Sequence, residues 1–142
     1  MRIAIANDHT AGELKMELLL HLQGKPGITV DYLGNGEYPD YAGIVAKSIA
    51  SGQHDLGLLL CGTGAGMCIA ANKVRGIRAA VCSEPFTAKL TRQHNNANIL
   101  CLGARVVGTE LAKMIVDAFI EAEFEGGRHA TRVDKFMAFE VN

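Results

Sequence analysis

Apolar positions along the chain alternate between continuous short runs and helical spacing. Arg2 to Ala6 is an apolar run with no polar face, closed by Asn7-Asp8-His9-Thr10. It predicts a first strand. From Ala11 to Leu22, the residues Leu14, Leu18 and Leu22 recur at helical intervals with Glu13, Lys15 and Glu17 between them. Gly24-Lys25-Pro26-Gly27 stops that helix. Ile28 to Leu33 reads as a second strand, and Gly34 to Asp40 as a loop by composition. A helix follows over Tyr41 to Ser51, then a third strand over Leu56 to Leu60. That strand runs into Cys61-Gly62-Thr63-Gly64-Ala65-Gly66 and a short helix from Met67 to Asn72. Ile77 to Val81 and Ile99 to Leu102 are the fourth and fifth strands, separated by a helix over Pro85 to Gln93. Thr109 to Glu123 is amphipathic, with Leu111, Ile115, Ala118 and Phe119 on one face, and a last helix spans Arg132 to Phe139.

Strands that alternate with helices and read as unbroken apolar runs predict a parallel sheet covered on both faces. In such α/β folds ligands bind beyond the carboxyl ends of the strands. Asp8-His9, Cys61 to Gly66, Ser83-Glu84 and Gly103-Ala104-Arg105 all follow strands, so they are expected on one rim. With 142 residues, 49% of them hydrophobic, the chain suits a single domain over 1–142. A net charge of -1, from 14 basic and 15 acidic side chains, gives no electrostatic footprint for nucleic acid. The apolar runs fall short of a membrane span, and the amino-terminal run is too short for a signal peptide. Cys61, Cys68, Cys82 and Cys101 form no CxxC pair. Neither a disulfide framework nor a zinc site is expected, and a reducing cytoplasm is the natural setting.

The segment around Cys61 carries the clearest chemistry. A glycine loop at a helix start presents backbone N–H groups, and the helix dipole adds partial positive charge. Such a loop can hold an oxyanion, and its field favours a thiolate at Cys61. A thiolate there can remove a carbon-bound proton beside a carbonyl. The alternative is a small buried residue ending a strand above a tight turn. The loop has no Gly-Lys-Ser/Thr and no GxGxxG spacing, so it is neither a P-loop nor a dinucleotide fingerprint. Asp8 and His9 fit an acid/base or phosphate-facing pair, or Asp8 serves as a helix cap. His94 can exchange a proton near neutral pH. Arg128 and Arg132 are four apart and share a face in a helical turn, which suits a phosphate clamp or a solvated pair. They lie beyond the last core helix, within reach of a neighbouring subunit.

Asn7-Asp8-His9, Tyr38-Pro39-Asp40-Tyr41, Cys61-Gly62-Thr63-Gly64-Ala65-Gly66, Ile69 to Lys73, Gly76 to Ala80, Arg92-Gln93-His94-Asn95 and Gly126-Gly127-Arg128-His129 together resemble the type B ribose-5-phosphate isomerases. The resemblance spans nearly the whole chain. It implies a three-layer, Rossmann-like doubly wound α/β domain and a homodimer or pair of dimers with shared active sites. It implies interconversion of ribose 5-phosphate and ribulose 5-phosphate without metal or cofactor. Cys61 matches the base that moves a proton between C2 and C1. Thr63 matches the group assisting on the oxygens, and the amides of Gly62, Gly64, Ala65 and Gly66 hold the enediolate. His94 matches the ring-opening residue, with Asp8 assisting. His9, Arg105, Arg128 and Arg132 match phosphate contacts, and Asn95 a sugar contact. His94, Asn95 and Arg105 are expected from a different subunit than Cys61, and the carboxyl-terminal helix is expected to pack on a neighbour. Two departures, a short Gly34–Pro39 loop and an inserted Thr10, flank the expected sugar pocket. Isomerisation of allose 6-phosphate or galactose 6-phosphate, and a non-catalytic sugar-phosphate-binding subunit, are the alternatives.

Overall fold

A computed structural model describes residues 1–140. The strands Arg2–Asn7 (β1), Thr29–Asn35 (β2), Leu56–Cys61 (β3), Ala79–Val81 (β4) and Ile99–Gly103 (β5) form one parallel sheet in the order β2-β1-β3-β5-β4. The helices are Gly12–Gln23 (α1), Tyr38–Ala50 (α2), Ala65–Ala71 (α3), Pro85–Gln93 (α4), Thr109–Glu121 (α5) and Arg128–Met137 (α6). No described helix is long and apolar enough to cross a membrane.

The three central strands, β1, β3 and β5, are buried on both faces, so each successive residue along them feeds a different helical layer, while the edge strands β2 and β4 are more exposed. Ile3, Ile5, Leu58, Leu60, Leu100 and Leu102 pack with α1, α4 and α5, through Leu18, Ala88, Ile115 and Phe119. Ala4, Ala6, Leu59, Cys61, Ile99 and Cys101 pack with α2 and α3, through Val45, Ala46, Met67 and Ala71. The second layer is built from smaller side chains and lies closer to the sheet. A Cβ on Gly57 would stand 2.7 Å from Cγ1 of Val45 on α2.

Several elements begin where local hydrogen bonding, not hydrophobic spacing, puts them. α1 is preceded by a 3-10 turn, His9–Ala11, which Asp8 caps through the N–H of Thr10. α2 starts at Tyr38, three residues before its apolar pattern, because Pro39 suits a first helical turn that needs no N–H donor. α3 starts at Ala65, directly after left-handed Gly64. β4 begins at Ala79 and excludes Ile77: the Ile77 N–H donates to Val74 O, and the Arg78 N–H to Oδ1 of Asn98. α6 begins at Arg128, four residues before the expected start, because Gly126 and Gly127 (φ 67° and 57°) turn the chain just ahead of it. Residues 141 and 142 of the expected domain lie outside the described residues.

The chain leaves β1 toward β2 and returns on the other side at β3, so a crevice opens beyond their carboxyl ends. Asn7 lies opposite Leu60, and Cys61 opposite Gly103. Gly103 lets the loop after β3 settle on the end of β5: a Cβ there would stand 2.7 Å from the carbonyl carbon and oxygen of Thr63. Because the obstacle is backbone, Gly103→Ala should cost about 1–3 kcal/mol. Urea unfolding of both proteins measures this, and equal stabilities would contradict the close approach.

Candidate active site

The carboxyl rim carries a cleft of about 390 Å³ lined by Asp8, His9, Thr10, Tyr38, Cys61, Gly62, Thr63, Gly66 and Arg105. Cys61 ends β3 and is 5% exposed, with its side chain at the cleft wall. Its Sγ accepts a hydrogen bond from the Gly64 N–H at 3.2 Å, which aims the sulfur into the mouth of the loop. The loop is folded by φ 82° at Gly64, a left-handed conformation that glycine adopts without steric cost. It is pinned to the end of β5 by N–H donation from Ala104 to Cys61 O (2.8 Å) and from Arg105 to Gly62 O (3.0 Å).

Two of the loop amides expected to bind an oxyanion are already engaged. Gly64 N–H serves Cys61, and Ala65 N–H donates to Thr63 Oγ1 at 3.2 Å. The N–H groups of Gly62, Thr63 and Gly66 have no partner among the described residues. These three amides are the donors open to a ligand.

Asp8 is nearly buried beside Cys61, and its Oδ1 accepts from the Thr10 hydroxyl (2.6 Å) and the Thr10 N–H (2.9 Å). It therefore caps the turn and also lines the cleft. Beneath it, Tyr32 donates to Asn7 Oδ1, and Asn7 Nδ2 donates to Asp8 O, fixing the end of β1. Thr10, a departure from the family pattern, and Tyr38, to which the sequence assigns no role, both act here. Thr10 proves to hold the Asp8 carboxylate. Tyr38 stands over Gly66, where a Cβ would lie 2.6 Å from its ring. In the sequence Tyr38 falls in the expected Gly34 to Asp40 loop and Gly66 in the glycine loop, and nothing in either segment links the two.

Arg105 corrects an expectation. It does not come from a second subunit but from the same chain as Cys61, because β5 adjoins β3 and the loop after β5 runs along the same rim. Its exposed guanidinium brings positive charge to the cleft, and the exposed His9 lines the same cleft.

His94, Asn95, Arg128 and Arg132 lie at the opposite, amino rim. α4 carries the chain back to the start of β5, so His94 caps α4 at the far end of the sheet. At about 3.3 Å per residue, the five or six residues of β5 and β3 separate the two groups by about 16–20 Å. α6 crosses that amino rim: Glu140 accepts from the Gly76 N–H, and Met137 Sδ lies 3.8 Å from Arg78 Nη1. Arg128 and Arg132 are exposed on α6, one turn apart, and make no ion pair among the described residues. A cavity of about 620 Å³ also lies at this rim, between the β4 approach and α6, with Asn95 in its wall.

His94 stacks on His129 with ring centroids 4.1 Å apart and planes within 5°. Glu125 Oε1 lies 3.3 Å from His94 Nε2 and 3.7 Å from His129 Nε2. This grouping has the residue types of a metal site. With the rings parallel, however, an ion in the plane of one lies well outside the plane of the other. Burial, then the neighbouring His94 and Arg128, push His129 below the usual imidazole range. His21 and His54 are structural, paired with Asp117 (2.7 Å) and Asp31 (2.8 Å).

The other thiols differ sharply. A hydrogen bond from Cys101 brings Cys68 down to about 7 against the opposing effect of burial. Burial, reinforced by Glu84, pushes Cys82 up to about 11. The thiolate is the reactive form, so at pH 8 Cys68 is mostly ionised and Cys82 is not. Brief iodoacetamide treatment at that pH should label Cys68 well before Cys82 in peptide mass spectra. Equal rates would contradict these environments.

Residues 3–136 match the family model described as Ribose/Galactose Isomerase. The chain is 51% identical to ribose-5-phosphate isomerase B of Escherichia coli K12, over 98% of this chain and 96% of that protein. It is 49% identical to a D-erythrulose-4-phosphate isomerase of Pectobacterium atrosepticum, over 99% and 95%. The solved structure of ribose-5-phosphate isomerase B from Mycoplasma genitalium with bound ribulose-5-phosphate superposes with a TM-score of 0.91 at 46% identity, covering 97% of this chain and 95% of that one. The matched region contains every strand of the sheet, the Cys61 loop and both rims, and on that footing the chain belongs to the ribose/galactose isomerase family.

Proposed function

We propose that the protein interconverts ribose 5-phosphate and ribulose 5-phosphate by proton transfer through an enediolate. The observation that carries this reading is the Cys61 thiol facing the same cleft as three unpartnered loop amides. The family supports the substrate: the Escherichia coli relative is a ribose-5-phosphate isomerase, and the Mycoplasma genitalium relative holds ribulose-5-phosphate.

In the open-chain aldose, Cys61 as thiolate removes the C2 proton. The electron pair moves into a C1–C2 double bond, and negative charge collects on O1. Preorganised amides at Gly62, Thr63 and Gly66 stabilise that charge as it forms. The Thr63 hydroxyl carries a proton from O2 to O1. The Cys61 thiol then returns its proton to C1, leaving the carbonyl at C2. Each step conserves protons and electrons, so the residues named supply the whole reaction.

Before this, the furanose must open, and we read that as a two-subunit task. Asp8 lies at the Cys61 cleft, whereas His94 lies at the far rim. We assign the ring opening to Asp8 with His94 of a second copy. Asn95 of that copy contacts the sugar, and its Arg128 and Arg132 join His9 and Arg105 on the phosphate. Bidentate guanidinium contacts suit a phosphate dianion. A homodimer with two shared sites is the smallest assembly that supplies both halves, and α6 then packs on the neighbour. Four free thiols suit the reducing cytoplasm.

Cys61→Ala should lower kcat for ribose 5-phosphate by about 10²–10⁴-fold, the usual effect of losing a positioned base, while substrate binding survives. Near-normal turnover would move the base elsewhere. Arg132→Ala should instead raise KM, through loss of a charge-assisted contact of about 1.5–3 kcal/mol.

The shared site makes a separate prediction. Randomly mixed Cys61→Ala and Arg132→Ala subunits form heterodimers in which one of the two sites is intact. Assayed at substrate well below KM, where both parent proteins are weak, activity should return to about a quarter of wild type, half the dimers being mixed and each half active. Mixtures no more active than the parents would place both residues in one subunit's site.

A further inference from the structure

We propose that Glu125 is a positioning residue for ring opening: its carboxylate, which bridges the Nε2 edges of the stacked His94 and His129 rings, orients the His94 imidazole and supports its protonated form. This rests on the assignment of ring opening to His94 above.

Glu125 belongs to the loop between α5 and α6, and one backbone hydrogen bond and one close side-chain approach bring it to His94. Its backbone N–H donates to Gln93 O at 3.0 Å, the residue just before His94. Its Oε1 reaches His94 Nε2 at 3.3 Å. From the other side, His129 lies face to face with His94 at 4.1 Å. The imidazole is thus gripped at its edge by a carboxylate and on its face by a ring. With Nε2 turned to Glu125, the other ring nitrogen, Nδ1, is the atom left to address a sugar.

The proton balance of ring opening calls for such a partner. The O1–H proton leaves to Asp8 and the C1–O1 bond becomes a carbonyl. The C1–O4 bond breaks, and its electron pair takes a proton from His94. If His94 is to end as a neutral imidazole, it must begin as an imidazolium, and a carboxylate beside Nε2 stabilises that cation.

The charges around the pair leave this task to Glu125. Arg128 and Arg132 on α6 disfavour a cation on the neighbouring His129, and burial acts the same way. The carboxylate is thereby left to serve His94, the nearer of the two imidazoles. On α4, Arg92 is turned away, its Nη1 on Ala97 O at 2.7 Å and its guanidinium over the Phe119 ring. Glu123 faces Arg92.

The test is Glu125→Gln in the full-length enzyme, with two substrates and one titration. Ribose 5-phosphate must be opened. D-erythrose 4-phosphate has its 4-oxygen esterified and cannot close a furanose ring, so it bypasses the step. The expected result is a loss of about tenfold or more in kcat/KM for ribose 5-phosphate and a change of less than about twofold for the tetrose. In the same variant, the His94 ring resonances should titrate at lower pH than in wild type. Equal losses on both substrates, or no loss on either, would overturn the proposal. So would an unmoved His94 titration, which decides the matter alone if the wild type does not turn over the tetrose. Wild-type protein inactive on ribose 5-phosphate would instead sink the function, which separates the two failures.

Discussion

The contact between the loop after β3 and the end of β5 governs the rest of the structure. Two backbone hydrogen bonds, from Ala104 to Cys61 and from Arg105 to Gly62, tie the two segments together. Gly103 and Gly64 make the approach geometrically possible, each having backbone where a side chain would sit. That contact decides where the Cys61 sulfur points and which amides remain unpaired. It also carries Arg105 to the same cleft. A sheet with the same strands but a looser loop would have the thiol and the amides without their convergence.

The two helical layers serve this contact differently. The large aliphatic residues of α1 and α5 make one side of the sheet a thick apolar slab around Phe119. The other side is thin, with alanines on β1 and small residues on α2, so α2 and α3 approach the strands closely. The thin side carries Cys61, and the start of α2 brings Tyr38 over Gly66. The crevice is therefore bordered by rigid backbone, which suits preorganised stabilisation of a developing charge.

A parallel sheet also imposes a division. Residues following strands collect at one rim, and residues following helices at the other, separated by the length of the strands. Cys61, Asp8, His9 and Arg105 fall on the first rim and His94, Asn95, Arg128 and Arg132 on the second. In the proposed reaction the two sets act on one sugar, so the catalytic unit is an assembly of chains. The same division gives the amino rim an architecture of its own, in which Glu125 and His129 hold His94.

Sequence alone determined the alternation of strands and helices, the parallel sheet and the rim on which Cys61 and Asp8 meet. Those features follow from the period of apolar residues and from the rule that βα loops share one edge, both of which are local. Motif resemblance added the reaction class. What the linear pattern could not carry were the contacts between elements distant in the chain. Thr10 bracing Asp8, Tyr38 covering Gly66 and the pairing of Gly64 and Ala65 amides inside their own loop depend on three-dimensional proximity or on loop dihedrals. Arg105 moved to the Cys61 side because strand order placed β5 beside β3, which sequence order does not reveal. α6 starts at Arg128 because two glycines with positive φ release the chain into a helix there, and apolar spacing is blind to backbone hand. Chemistry-bearing residue types were legible one by one, whereas the company they keep was decided by the fold.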